Sequence, residues 1–183
     1  MRWLRMTTVA ALAACGPATT QTTSDLDAPP QPPPSIEATG NGYLIRLQRD
    51  QGVAVSTIEG GRSEVFQALV TAFEEFALPV EGIDATRGIL QTGSFRAVRR
   101  LGEHRLSQLF QCGATLTGDR ADTWRLEIEV DAQVQQDGEG SRLTTRVSAF
   151  ARPTDGTSTN GVPCVSMGRL EQMITERIAD RVA

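Results

Sequence analysis

The chain has 183 residues, 39% of them hydrophobic and 22% charged, with a formal net charge of −4. That length supports one domain with accessory segments, and no run of about 18 apolar residues is present to cross a bilayer. The mild acidity argues against nucleic acid as a general partner, because binding phosphate needs a basic face.

Arg2 and Arg5 precede an apolar stretch from Met6 to Ala14. A positive start followed by a short apolar core is the pattern of a signal peptide, residues 1–14 here. The stretch ends in Leu12-Ala13-Ala14-Cys15. It resembles the bacterial lipobox, in which a leucine lies three residues before the modified cysteine. The resemblance implies thioether lipidation of Cys15, cleavage before it, and acylation of the new amino terminus with palmitate. The residue types suit that chemistry: small side chains let an extended segment enter a peptidase site, and a cysteine thiolate is the nucleophile. Several acyl chains, at about 0.8 kcal/mol per buried methylene, give stable anchoring. Gly16 stands where an aspartate would, in that family, favour inner-membrane retention. The outer membrane, facing the periplasm, is therefore the expected location. The plainer alternative is an ordinary cleaved signal peptide.

Residues 15–40 are expected as the lipidated cysteine followed by a disordered tether. Thr19, Thr20, Thr22 and Thr23 precede Pro29, Pro30, Pro32, Pro33 and Pro34. Such a segment cannot bury a core. At about 3.1 Å per residue, it reaches roughly 70 Å when extended.

Residues 41–183 are expected to fold as one domain. Tyr43, Ile45 and Leu47 alternate, as do Val53 and Val55, and Asp50-Gln51-Gly52 between them predicts a hairpin. Val65, Phe66, Leu69, Val70, Phe73, Phe76 and Ala77 then recur at helical spacing. Ser63 is the expected cap, Glu64 suits the positive helix end, and Pro79 is the expected stop. Strands are expected near Val80–Asp84 and Ile89–Phe95, with a turn at Arg87-Gly88. Leu101, Leu106, Leu109 and Phe110 suggest a short helix within Val98–Gln111, ending at Cys112-Gly113.

The clearest pattern runs from Trp124 to Phe150. Trp124, Leu126, Ile128, Val130, Ala132 and Val134 alternate with polar residues, and Leu143, Thr145, Val147 and Ala149 do so on the return. A tight turn at Gly138-Glu139 pairs positions whose numbers sum to about 277, with Val130 opposite Val147 and Asp131 opposite Arg146. A loop, 153–163, leads to a C-terminal amphipathic helix marked by Leu170, Met173, Ile174, Ile178 and Val182. Glu171 and Glu176 are expected on its polar side. The fold class expected is α+β: one antiparallel sheet with two main helices on one face, helix-grip-like.

Cys112 and Cys164 remain once Cys15 is lipidated, and in an exported domain a disulfide is the natural expectation. It would tie the short helix to the C-terminal helix. His104, the only histidine, has Glu103 beside it but no cluster of metal-ligand spacing. Asp119 and Asp122 read as turn residues, and His104 with Ser107 lacks any nucleophile elbow. No phosphate loop or dinucleotide fingerprint occurs, so the chain is expected to be non-enzymatic and to need no cofactor or metal. Every basic side chain is arginine, and Arg96, Arg99, Arg100 and Arg105 cluster. They read either as an ordinary solvated surface or as a contact for anionic headgroups, lipopolysaccharide or an acidic partner.

The segment Ser63 to Thr92 resembles one family of outer-membrane lipoproteins. It has an amphipathic helix, then Leu78-Pro79-Val80, then Asp84 and Gly88-Ile89-Leu90 before a strand. The resemblance is to the accessory lipoprotein family BamC (NlpB) of the β-barrel assembly machinery. It covers about 30 residues and implies a protein partner in envelope assembly or maintenance. That family has tandem domains and this chain has room for one; the cysteine pair is a second departure. The alternative function is a carrier or sensor for a lipid or other apolar ligand held between sheet and helix.

Overall fold

The computed structural model describes residues 35–40, 42–48, 52–154 and 160–183. The signal peptide, Cys15 and the tether as far as residue 34 lie outside the described residues. In chain order, β1 (Ser35–Gly40), β2 (Tyr43–Gln48) and β3 (Val53–Ile58) lead to α1 (Arg62–Glu75). Short strands follow: β4 (Gly82–Asp84), β5 (Ile89–Gln91), β6 (Phe95–Val98), β7 (Arg100–Leu101) and β8 (His104–Arg105). A 3₁₀ turn at Leu106–Gln108 precedes β9 (Phe110–Gln111), β10 (Ala114–Thr115), β11 (Gly118–Asp119) and α2 (Arg120–Thr123). The long strands β12 (Arg125–Asp137) and β13 (Gly140–Arg152) come next, then β14 (Val162–Ser166) and α3 (Arg169–Val182).

The fold is α+β and dominated by antiparallel sheet. The hairpin of β12 and β13 forms its centre in the register expected, from Arg125 opposite Arg152 to Asp137 opposite Gly140. Leu126, Ile128, Val130, Ala132 and Val134 are buried from one strand, and Leu143, Thr145, Val147, Ala149 and Ala151 from the other. A slip of one residue would turn both rows to solvent, so the apolar alternation fixes the register. β3 and β14 pair with successive parts of β13, while β6 and β5 pair with successive parts of β12. Between β5 and β6, Thr92 carries the ladder across the gap. Its N–H donates to Val130 O, and its Oγ1 accepts from Val130 N–H.

β2 and β3 form the expected first hairpin. β1 pairs with β2 along its whole length, so the sheet begins at Ser35, inside the stretch expected as tether. α1 packs on β12 and β13, α3 packs on β2, β3 and β13, and the two helices pack on each other. Glu75 on α1 accepts from Arg177 and Arg181 on α3, and the Tyr43 hydroxyl on β2 donates to Glu176 at 3.0 Å.

Both ends of α1 differ from expectation. Gly61, not Ser63, is the N-cap, and it offers no side-chain acceptor. The Arg62 N–H donates instead to Gln136 Oε1, beside the hairpin turn. The Arg62 guanidinium donates to Val134 O and to the carbonyls of Ala85 and Thr86, joining the helix start to β12 and to the β4–β5 turn. Gly88 in that turn has φ +68, and a Cβ there would lie 2.3 Å from Val134 O. The helix stops at Glu75, before Pro79 can act. Leu78 N–H donates to Phe73 O and Ala77 N–H to Glu74 O, the double bond of a Schellman cap. Ala77 occupies the left-handed position of that cap, with φ 53. A glycine suits that position by about 1 kcal/mol. Ala77→Gly is therefore expected to raise the unfolding free energy by about that amount, as measured by urea titration; no gain would contradict the cap assignment.

The short helix expected within Val98–Gln111 is instead a chain of two-residue strands with a single 3₁₀ turn. Arg99 and Gly102 have φ of 63 and 56, and left-handed residues at both places break any helical run. β14 replaces the end of the expected loop; residues 155–159 lie outside the described residues.

Candidate functional site

The arginine cluster read from the sequence sits at the end of the sheet formed by β6, β7 and β8. Arg99 forms a one-residue reversal between β6 and β7, so Val98 faces Arg100. Arg100 in turn faces Arg105, and on the other side Val98 faces Arg125, which faces Arg152. Direct cross-strand partners share a face of the sheet. The register thus aligns Arg152, Arg125, Val98, Arg100 and Arg105 in one row across five strands. Arg96 lies in the next row, opposite Glu127. The sequence reading found Arg96, Arg99, Arg100 and Arg105 and missed Arg125 and Arg152. The signal for those two was present, since their numbers satisfy the hairpin register.

Each end of the row is pinned by a carboxylate. Arg152 Nε donates to Glu127 at 2.8 Å, and Arg152 also lies over the Phe150 ring. The Arg152 hydrogen bond, with the nearby charges of Arg152, Arg96 and Arg125, holds the Glu127 carboxyl below its ordinary pKa despite some desolvation. At the other end Arg105 donates to Asp122 at 2.7 Å. Asp122 also accepts from the Ser107 hydroxyl and N–H, which fastens the 3₁₀ turn. Burial disfavours the Asp122 anion, but Ser107 and Arg105 together outweigh it and lower the pKa. Arg96, Arg99 and Arg100 are exposed, and Arg100 donates to the Glu103 carbonyl. Arg125 Nε is buried and meets no acceptor among the described residues.

Asp119 does act in a turn: it caps α2 by accepting from Ala121 N–H. Asp122 is more than a turn residue, because it holds Ser107 and Arg105 together. Ser107 gives its hydroxyl to Asp122, not to His104; His104 lies in β8 and Ser107 in the 3₁₀ turn that follows, so the two do not share an α-helical turn. His104 lies opposite Leu101 and lines a groove of about 300 Å³ with Phe76, Leu109, Leu170 and Met173. No group of three or more His, Cys, Asp or Glu among the described residues is placed to hold a metal ion.

Cys112 and Cys164 form a disulfide. It does not tie two helices, as expected. It joins the end of β9 to the middle of β14, and those strands also pair through Gln111 with Val165 and Phe110 with Ser166. Arg120 donates to the Cys112 carbonyl and lies over the Trp124 ring, so α2 supports the same corner.

Beyond β14 the chain enters α3, where Glu171 is fully buried rather than on the polar side. Its Oε1 accepts from the Ser166 hydroxyl at 2.7 Å, and its Oε2 meets no partner among the described residues. Burial pushes the carboxyl pKa up, more than the Ser166 hydrogen bond lowers it. Thr175, one turn on, donates to the Glu171 carbonyl and contacts Ser56 on β3. The apolar stripe itself places Glu171 inside: at roughly 100° per residue it falls between Ile178 and Val182.

No protein-family model matches the chain, and no curated protein sequence matches it.

Proposed function

We propose that the chain is an exported lipoprotein, cut before Cys15 and held by lipid on that cysteine to the outer membrane, facing the periplasm. In this reading it is a non-enzymatic accessory factor that binds a protein partner in envelope assembly or maintenance. The observation that carries it is how the three cysteines divide. Cys112 and Cys164 bond to each other, which leaves Cys15, the one at the lipobox position. A structural disulfide belongs with an oxidising compartment such as the periplasm.

The domain's packing favours a partner surface over an enclosed ligand. We read α1 and α3 as lying together on one face of the sheet, in helix-grip fashion, because both touch β13 and each other. Val65, Leu69, Phe73, Ile174 and Ile178 from the helices join Ile128, Val130 and Leu143 from the hairpin in one buried cluster. All are fully inaccessible to solvent. A carrier would need to hold its apolar ligand where these side chains stand.

Crosslinking in intact envelopes, followed by capture of the full-length protein, tests the partner reading. Specific enrichment of envelope proteins over an untagged control is expected. Capture of the protein with none enriched would count against it.

A further inference from the structure

The arginine row has features that the fold itself does not need. Like charges directly opposite on paired strands are destabilising, yet Arg125 faces Arg152 and Arg100 faces Arg105. Arg99 holds a left-handed conformation that glycine would adopt without strain. Strained non-glycine residues cluster where structure serves function. Val98, in the middle of the row, is 53% exposed, although it lies on a sheet whose other face has ample core to fill.

We propose that this row is the face that lies against an anionic phospholipid surface. The inference rests on the lipoprotein reading, because a chain anchored near a bilayer meets that surface at high effective concentration. Two properties, the open extent of the row and the exposed Val98 within it, fit a bilayer better than an acidic protein segment; the cations and the acidic remainder of the chain suit any anionic surface. The row crosses four strand spacings of about 4.8 Å, so it extends over roughly 19 Å of open sheet rather than sitting in a cleft. Guanidinium forks bind phosphate oxygens in pairs, and Arg96, Arg99 and Arg100 are exposed here in a chain of net charge −4, while Arg105 and Arg152 at the two ends are held by carboxylates. The acidic remainder is repelled by an anionic surface, so the domain would approach it by this corner. Val98 then offers its methyl groups to the headgroup boundary between the cations.

The test uses the mature chain, residues 15–183, carrying Cys15→Ser, so that neither an acyl group nor the cationic signal peptide contributes, with the disulfide formed. Co-sedimentation is measured with vesicles of phosphatidylcholine alone and of phosphatidylcholine with phosphatidylglycerol. Preferential binding to the anionic vesicles is expected. Each juxtamembrane cation is worth about fivefold in affinity, so Arg99→Gln with Arg100→Gln should weaken binding about 25-fold. Arg142→Gln with Arg146→Gln, the same charge change between the start and the middle of β13, should alter it less than about twofold. Arg99→Gly separates binding from folding: its melting temperature should rise while binding falls about fivefold. Equal binding to both vesicles would overturn the proposal. So would equal losses from the two double variants, or binding to polyglutamate but not to vesicles. Because no acyl group is present, these failures would leave the lipidation of Cys15 standing.

Discussion

Replacing Cys112 and Cys164 together by serine should lower the unfolding free energy by about 4 kcal/mol. The two cysteines are 52 residues apart, and the loop they close contains the whole β12–β13 hairpin. Without the bond the unfolded chain regains the freedom of that loop, which is the main source of the estimate. The folded state also loses a local tie. β9 has only two residues, and its pairing with β14 is itself only two residues long. Arg120 alone would then hold the Cys112 carbonyl. The loss should be uneven, with amides of residues 106–119 and of β14 exchanging with solvent before those of the central hairpin. Urea unfolding of the oxidised protein and the double variant checks the magnitude. The midpoint should fall, and the slope should steepen as the unfolded state expands. Equal midpoints would mean that the bond constrains nothing the fold does not already constrain.

The second large effect concerns Glu171. Its carboxyl is fully buried with one oxygen unpartnered among the described residues, and burial raises its pKa. The folded state therefore binds the proton more tightly than the unfolded chain does. Stability from this group is fully present below the ordinary glutamate pKa and is lost as pH rises through the raised folded value. Asp84, Asp122 and Glu127 have the opposite sense: hydrogen bonds and arginine neighbours lower their pKa values, so their contribution is lost as pH falls. The difference between the protein and Glu171→Gln isolates the buried group. The amide keeps an oxygen for the Ser166 hydroxyl and removes the charge. Glu171→Gln should be more stable by about 2 kcal/mol at pH 8, with the gap closing as pH falls toward the ordinary glutamate range. Chemical denaturation across that range measures it, and parallel stability profiles for the two proteins would refute the assignment.

The parts of the fold that were legible share one property: a long pattern with a single consistent answer. Residues alternate from Leu126 to Val134 and from Leu143 to Ala151, and the turn and both rows agree on one register. The stripes of α1 and α3 are similarly long. What stayed hidden was short or non-local. β7, β8 and β9 have two residues each, too few to carry a period, and Leu101, Leu106, Leu109 and Phe110, on and between them, mimic a helical repeat. β14 contains Pro163 and follows a Gly/Thr/Ser-rich stretch, so it resembles loop. β1 follows immediately on Pro32, Pro33 and Pro34, a composition that points to an extended tether. Glu171 was misplaced through its chemistry: a carboxylate reads as surface, although its helical angle pointed inward. The arginine row was half legible. Clustering revealed four members, while Arg125 and Arg152 emerge only when the hairpin register is extended to its open end.

The row, the disulfide and the buried Glu171 all belong to a domain whose proposed role depends on Cys15. Mass spectrometry of the mature protein purified from envelopes tests that dependence most directly. The lipoprotein reading predicts an amino-terminal peptide that begins at Cys15 and carries diacylglycerol and a further acyl group. A mature chain beginning elsewhere, or a Cys15 peptide of unmodified mass, would contradict it.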